Sequence, residues 1–285
     1  MSEGKIVSSF VTFFSLFITL TCLSLVWFVL FPVNFIYFYV FLFSCSLAGS
    51  GLPVLSAESV RRLSLGVSVV DDVFPGFEKG DFGVLYGDGV PFLSFVLCVR
   101  GVLPQSMGGL GSSVVFVDGS NSFNPYLIGE VAHGYGFDPR EVLKRVYVSR
   151  AFTAYQFSAL VLEKLEPFIN AERAGLVFVS NIASLFLDKD IPKTEAKDLF
   201  VKVCAKLSDI ANKKSAIVLA TYQPYMRSKL SLFFEAVLFG RCNVLVKFER
   251  RGKVLSFILQ DHPRIKPFRV DFPSEDISLT KYLEV

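Results

Sequence analysis

Charge is missing from the front of this 285-residue sequence: residues 6–57 contain no Asp, Glu, Lys or Arg. That absence excludes an ordinary solvated surface there. Histidine is scarce too. The two histidines, His133 and His262, are 129 residues apart with no Cys or Glu frame around them, so the sequence does not support a His-based metal site. The five cysteines (22, 45, 98, 204 and 242) are odd in number and far apart. No pair has metal-ligand spacing, so neither a zinc site nor a disulfide framework is indicated, and they read as buried thiols in a reducing, cytoplasmic compartment. Strong charge of one sign is also lacking. From residue 61 onward 28 Lys/Arg face 24 Asp/Glu, a mild balance that permits nucleic-acid contact without arguing for it. Lysine is absent from GVLYGDGVPFLSFVLC (83–98), where a glycine-bearing turn follows an apolar strand.

The uncharged run is long. Residues 6–31 exceed the roughly 20 apolar residues that cross a bilayer. Pro32 and Asn34 interrupt the run and 35–48 continue it. The expectation is an apolar, membrane-spanning leader over 1–48, with one or two transmembrane helices. With Lys5 before the leader and Arg61 and Arg62 after it, it would anchor a cytoplasmic domain. The alternative is a start codon assigned too far upstream, with the protein beginning near residue 50. Residues 49–62 read as a linker, 63–272 as the core and 273–285 as a tail.

Within the core, apolar runs of strand length alternate with helical stretches. Strands are expected at 83–86, 113–117, 146–148, 175–179, 216–220, 243–248 and 254–260. Helices are expected near 91–102, 124–135, 139–144, 154–169 and 194–213. The last has apolar residues at 199, 200, 203, 207, 210 and 211, the stripe of a helix packed on a sheet. Nearly all-apolar strands separated by helices indicate an α/β fold with a mostly parallel central sheet covered on both faces. The charged turn ERRGK indicates a C-terminal antiparallel hairpin.

Open sheets of this kind bind ligands at the carboxyl ends of their strands. Those ends carry Gly87 and Gly89, Asp118, Arg150, Ser180, and Thr221 to Gln223. Asp118 can cap the SNSF turn or hold a metal. Arg150 can face a phosphate or pair with a carboxylate.

The order of these pieces resembles the ATPase core of the RecA/RadA-type recombinase family, over about 63–272. The lead-in LGVSVVDDVFPGFEKGDFGVLYGDG, the run VVFVDGSNSFNPYLIGEVAHGYGFDPREVLKRVYVSRAFTAYQ, LVFVSNIASLF and ATYQ carry the resemblance. QDHP at 260–263 is similar to a tail of archaeal RadA-like members. The resemblance implies a RecA-like P-loop NTPase core, and it also marks what is missing. Leu93 stands at the lysine position of the phosphate loop and Ser94 at its Ser/Thr position. Ser180 replaces the magnesium-binding Asp, and Ser120 the water-activating Glu. Gly87, Gly89, Leu93, Ser94, Asp118, Ser120 and Ser180 would then form a vestigial nucleotide site without a catalytic residue or a bound metal. At most it would bind Mg-ATP weakly. Val90, Phe92 and Leu93 are expected to fill the phosphate cavity.

By the same resemblance, Gln156 and Gln223 occupy positions that couple the nucleotide site to DNA-binding loops, with Arg150 beside them. Those loops correspond to 187–196 and about 224–240, where Tyr225, Arg227 and Lys229 are candidate DNA contacts. The LSLFFEAVLF stretch reads equally as a buried strand or as a membrane-facing or partner-facing element. Residues 49–66 contain no phenylalanine, which argues against the family's usual filament contact. Three functions remain open on the sequence. The first is a non-catalytic paralogue acting as an accessory or assembly factor in DNA repair, with a recombinase of the family or another repair protein as partner. The second is a DNA-dependent ATPase whose cation has moved to Lys79 or Arg100. The third is a membrane-tethered scaffold with no DNA role.

Overall fold

A computed structural model describes residues 61–213, 216–224 and 228–277. Two short strands, β1 (Arg62–Leu63) and β2 (Phe77–Glu78), pair antiparallel and bracket the helical turn α1 (Ser68–Asp71). Further strands and helices follow from residue 82 to 273. In chain order the strands are β3 (Phe82–Gly87), β4 (Ser113–Asp118), β5 (Val146–Arg150), β6 (Ala174–Ser180), β7 (Ile217–Tyr222), β8 (Val244–Arg251), β9 (Val254–Asp261) and β10 (Phe268–Pro273). The helices are α2 (Val90–Val102), α3 (Pro125–Gly134), α4 (Pro139–Leu143), α5 (Ala154–Ala159), α6 (Leu165–Glu172), α7 (Lys193–Asn212) and α8 (Lys229–Phe239). A π-helical turn, Leu160–Lys164, joins α5 to α6.

The eight long strands form one sheet in the order β10-β9-β8-β3-β7-β6-β4-β5. Strands β8, β3, β7, β6, β4 and β5 run parallel, and β9 and β10 add antiparallel at one edge. Every residue of β6 is buried, as a central strand covered on both faces requires. On one face Leu93, Phe95, Phe116 and Phe178 pack beneath α2 and α3. On the other, Phe157, Phe186, Phe200 and Phe234 join α5, α7 and α8. Helix α7 buries Phe200, Val203, Cys204, Leu207, Ile210 and Ala211, close to the stripe read from the sequence.

Three expectations change. Among the described residues no helix is long and apolar enough to cross a membrane. The expected transmembrane leader is therefore corrected: the span assigned to it, 6–48, lies outside the described residues. The LSLFFEAVLF stretch is not a strand but lies in helix α8, too short to cross a membrane. Ser228 and Ser231 cap it reciprocally, and its Phe234 ring lies 4.4 Å from that of Phe200 on α7. The expected C-terminal hairpin is a three-stranded antiparallel extension, because 268–273 pairs with β9. Alternation in FRVDFP puts Phe268, Val270 and Phe272 on the core face.

Candidate functional site

The first candidate is the turn after β3. Gly87 has φ 104°, and a Cβ there would lie 2.0 Å from the Phe248 carbonyl oxygen, so β8 presses on the loop too closely for any side chain. Asp88 ties the loop to the same strand. Its N–H donates to Phe248 O at 3.0 Å, and its carboxylate accepts from Arg250 N at 2.8 Å. Gly89 is left-handed (φ 77°) and helix α2 begins at the next residue. The helix therefore absorbs the stretch that a phosphate loop would leave open. Pro91, in its first turn, has no N–H to offer an anion. Leu93 is fully buried in the core beneath α2. Ser94 Oγ donates to Pro91 O at 2.6 Å.

The second candidate is Asp118, at the end of β4 and fully buried. Its Oδ1 accepts from Ser122 N at 2.9 Å, Ser180 Oγ at 3.0 Å and Ser120 N at 3.3 Å. Its Oδ2 accepts from Phe123 N and from Arg150 Nε, each at 3.1 Å. Burial pushes this carboxyl up. The N–H groups of Ser122 and Phe123, the Ser180 hydroxyl and the Ser120 N–H outweigh burial and hold it below the usual range. Of the two readings of Asp118, the structure shows turn capping, and of the two for Arg150, pairing with a carboxylate.

Ser120, Ser122 and Ser180 close over Asp118. Ser120 Oγ donates to Ser122 Oγ at 3.0 Å, and Ser122 Oγ donates to Ser180 Oγ at 3.2 Å. Ser122 was not singled out by its position in any motif. The signal for it was the spacing of Asp118, Ser120 and Ser122, an Asp whose carboxylate captures N–H groups two and four residues on. Asn121 takes the left-handed conformation this turn needs (φ 54°).

The other candidates fall at different distances from this centre. Gln156 stays at the start of α5, its Oε1 accepting from Phe152 N at 2.9 Å, so it closes a local turn. Gln223 is exposed at the end of β7 and lines a cleft of about 630 Å³ over the strand ends. That cleft corrects the expected filled cavity. Leu93 packs downward, away from it, so the space over Ser94, Ser120 and Ser180 stays open. Lys229 is exposed at the start of α8, whereas Tyr225 and Arg227 lie outside the described residues. The first loop assigned to DNA is short, because 193–196 already belong to α7. The three described cysteines, 98, 204 and 242, are buried free thiols, and burial pushes each of them up. Among the described residues no group of three or more His, Cys, Asp or Glu side chains comes together.

Neither relocated cation reaches the loop. Arg100 sits in the last turn of α2, about 15 Å along the helix from Val90. It is spent on Ser64 O at 2.8 Å, Tyr135 Oη and Met107 O at 3.0 Å each, and the Ser64 hydroxyl. Lys79 precedes the amino end of β3, a strand length of roughly 17–20 Å from the turn at its carboxyl end. The donor set does not fit a magnesium nucleotide. Magnesium needs a carboxylate with free lone pairs, and Asp118 has none to spare. The terminal phosphates need a cation and open N–H groups, and the turn supplies a buried leucine and a proline.

The architecture, with parallel strands ending in a glycine turn and a strand-end Asp, agrees with one family comparison: residues 57–233, more than half of the chain, match the Rad51 family model. The chain therefore belongs to the RecA/Rad51/RadA recombinase superfamily, a membership that supports a general role in DNA repair and recombination.

Proposed function

We propose that this chain is a non-catalytic paralogue of the recombinase core, acting as an accessory or assembly factor in DNA repair and homologous recombination. The observation that carries the reading is the saturation of Asp118. The one acidic strand end that survives is committed to two serine N–H groups, Phe123 N–H, the Ser180 hydroxyl and Arg150. A carboxylate so occupied has no capacity left to organise a metal or an attacking water.

The QDHP turn favours an archaeal RadA-like position within the superfamily. The partner is a recombinase of the same family or another repair protein. A protein partner is favoured by β5, an edge strand, and by the exposed Val148, Phe152, Tyr155 and Phe168 around it. DNA contact is weak, resting on Lys229 and the neighbouring Tyr225 and Arg227.

The test is phosphate release and thermal unfolding of the full chain with and without millimolar Mg-ATP and single-stranded DNA. No release and no shift in midpoint are expected. DNA-stimulated release would instead establish the alternative reading, an ATPase with relocated phosphate-binding residues.

A further inference from the structure

The cleft over the strand ends has an unusual polarity, which follows from where its hydroxyl protons go. A carboxylate accepts and never donates, so the Ser180 proton must point at Asp118 Oδ1. Ser180 Oγ then accepts from Ser122, and Ser122 Oγ accepts from Ser120. Two further cleft hydroxyls are fixed the same way, since carbonyl oxygens also only accept. Ser94 donates to Pro91 O at 2.6 Å, and Ser184 donates to Gly119 O at 2.8 Å. Five serine protons are thus directed into the protein; Ser180 Oγ, also 3.2 Å from Ser120 Oγ, is engaged within the cluster, and the remaining serine lone pairs are what the floor offers the cleft.

The rest of the lining agrees with that polarity. Among the described residues that line the cleft there is no Lys or Arg to repel a cation. The rings of Phe95, Phe152 and Tyr222 wall it, and Phe152 is 67% exposed at the rim. Aromatic faces attract cations. The amides of Asn121, Asn181 and Gln223 on the same lining can present oxygen or nitrogen, so the serine floor sets the preference: phosphate oxygens brought against it would meet lone pairs, whereas an N–H-bearing group would meet acceptors.

We infer that this cleft binds a hydrogen-bond-donating cation, an ammonium or guanidinium group, in the space between the glycine turn and the serine cluster. The group comes either from a free polyamine or from a Lys or Arg side chain of a partner protein. The inference rests on the reading of this site as one that no longer takes nucleotide.

Calorimetric titration of the full chain tests it with five probes: cadaverine, agmatine, a blocked Gly-Lys-Gly peptide, its norleucine counterpart, and Mg-ATP. Saturable binding of the amines and the lysine peptide is expected, with none for the norleucine peptide or Mg-ATP. Ser122→Ala should weaken amine binding at least ten-fold, because it takes an acceptor oxygen from the floor and releases the Ser120 hydroxyl from the bond that turns its proton inward. Peptide binding ten-fold tighter than cadaverine assigns the group to a partner's side chain, and the reverse order assigns it to a free polyamine. Should Ser122→Ala fail to fold, Ser120→Lys serves instead. An ammonium tethered at the floor should raise the unfolding midpoint and abolish the response to cadaverine. Absence of amine binding together with absence of ATP binding overturns this inference alone. Binding of Mg-ATP in place of the amines overturns both it and the non-nucleotide reading.

Discussion

Ser180 Oγ donates to Asp118 Oδ1 at 3.0 Å, from the end of one parallel strand to the end of its neighbour. The contact commits the Asp118 carboxylate to an internal pair, while Ser180 still lines the cleft above it. Asp118 also holds the N–H groups of Ser120, Ser122 and Phe123, so the loop after β4 is folded around a single carboxylate.

Removing that carboxylate should cost much more than removing its hydroxyl partner. Asp118→Ala orphans several N–H groups and the Arg150 guanidinium, and a loss of about 3 kcal/mol is expected. Ser180→Ala removes one hydrogen bond to a charged group and should cost about 1.5 kcal/mol. Urea unfolding of the two variants measures both. Equal, small losses would mean that Asp118 does not organise the loop. Because its carboxyl is held below the usual range, its contribution is present above pH 4 or so and is lost as the pH falls through the folded value.

Leu93→Lys should not restore hydrolysis. The side chain is fully buried under α2, so an ammonium there is taken from water into the core. Destabilisation of at least about 3 kcal/mol is expected, with no phosphate release. A stable variant that releases phosphate from Mg-ATP would show that the lysine position still faces the cleft.

Arg100→Met should lower stability without changing the response to nucleotide. The guanidinium clamps the chain at Ser64 to α2, to Met107 and to Tyr135, and its loss leaves the Ser64 and Met107 carbonyls without it. A midpoint several degrees lower is expected, with the same absence of shift on adding Mg-ATP. A nucleotide-induced shift present in the parent and missing in the variant would return Arg100 to the site.

His262 makes the fold sensitive to mild acid. Its Nδ1 accepts from Arg264 N and Ile265 N, each at 3.1 Å, which only the neutral ring can do. Burial first, then the charge of Arg264, push its pKa below the ordinary value, against Glu78 and Asp261. The unfolded chain therefore takes up this proton first. Stability is full above about pH 6.5 and falls as the pH drops from there toward the folded value. His262→Asn keeps an acceptor for the turn and should flatten the unfolding midpoint between pH 7 and 5. An unchanged slope in that variant would remove His262 as its source.

Periodicity and order were enough to make the sheet, α7 and the strand-end candidates legible, because apolar spacing is a local property of the chain. The missing lysine and the serines at 120 and 180 were equally plain, since an absent residue type needs no coordinates. The sequence was silent on where those side chains point. LSLFFEAVLF is apolar on nearly every side, so only the Phe200–Phe234 contact and the Ser228 cap identify a helix packed on α7. Leu93 looked like a plug for the cavity, yet α2 starts so early that its side chain turns into the core and the cleft stays open. Arg100 and Lys79 were near the loop in sequence and are far from it in space, because a helix and a strand each carry the chain the length of the sheet. Asp118, Ser180 and Arg150 lie on three separate strands, and only the parallel register that sets β4 between β5 and β6 brings carboxylate, hydroxyl and guanidinium together.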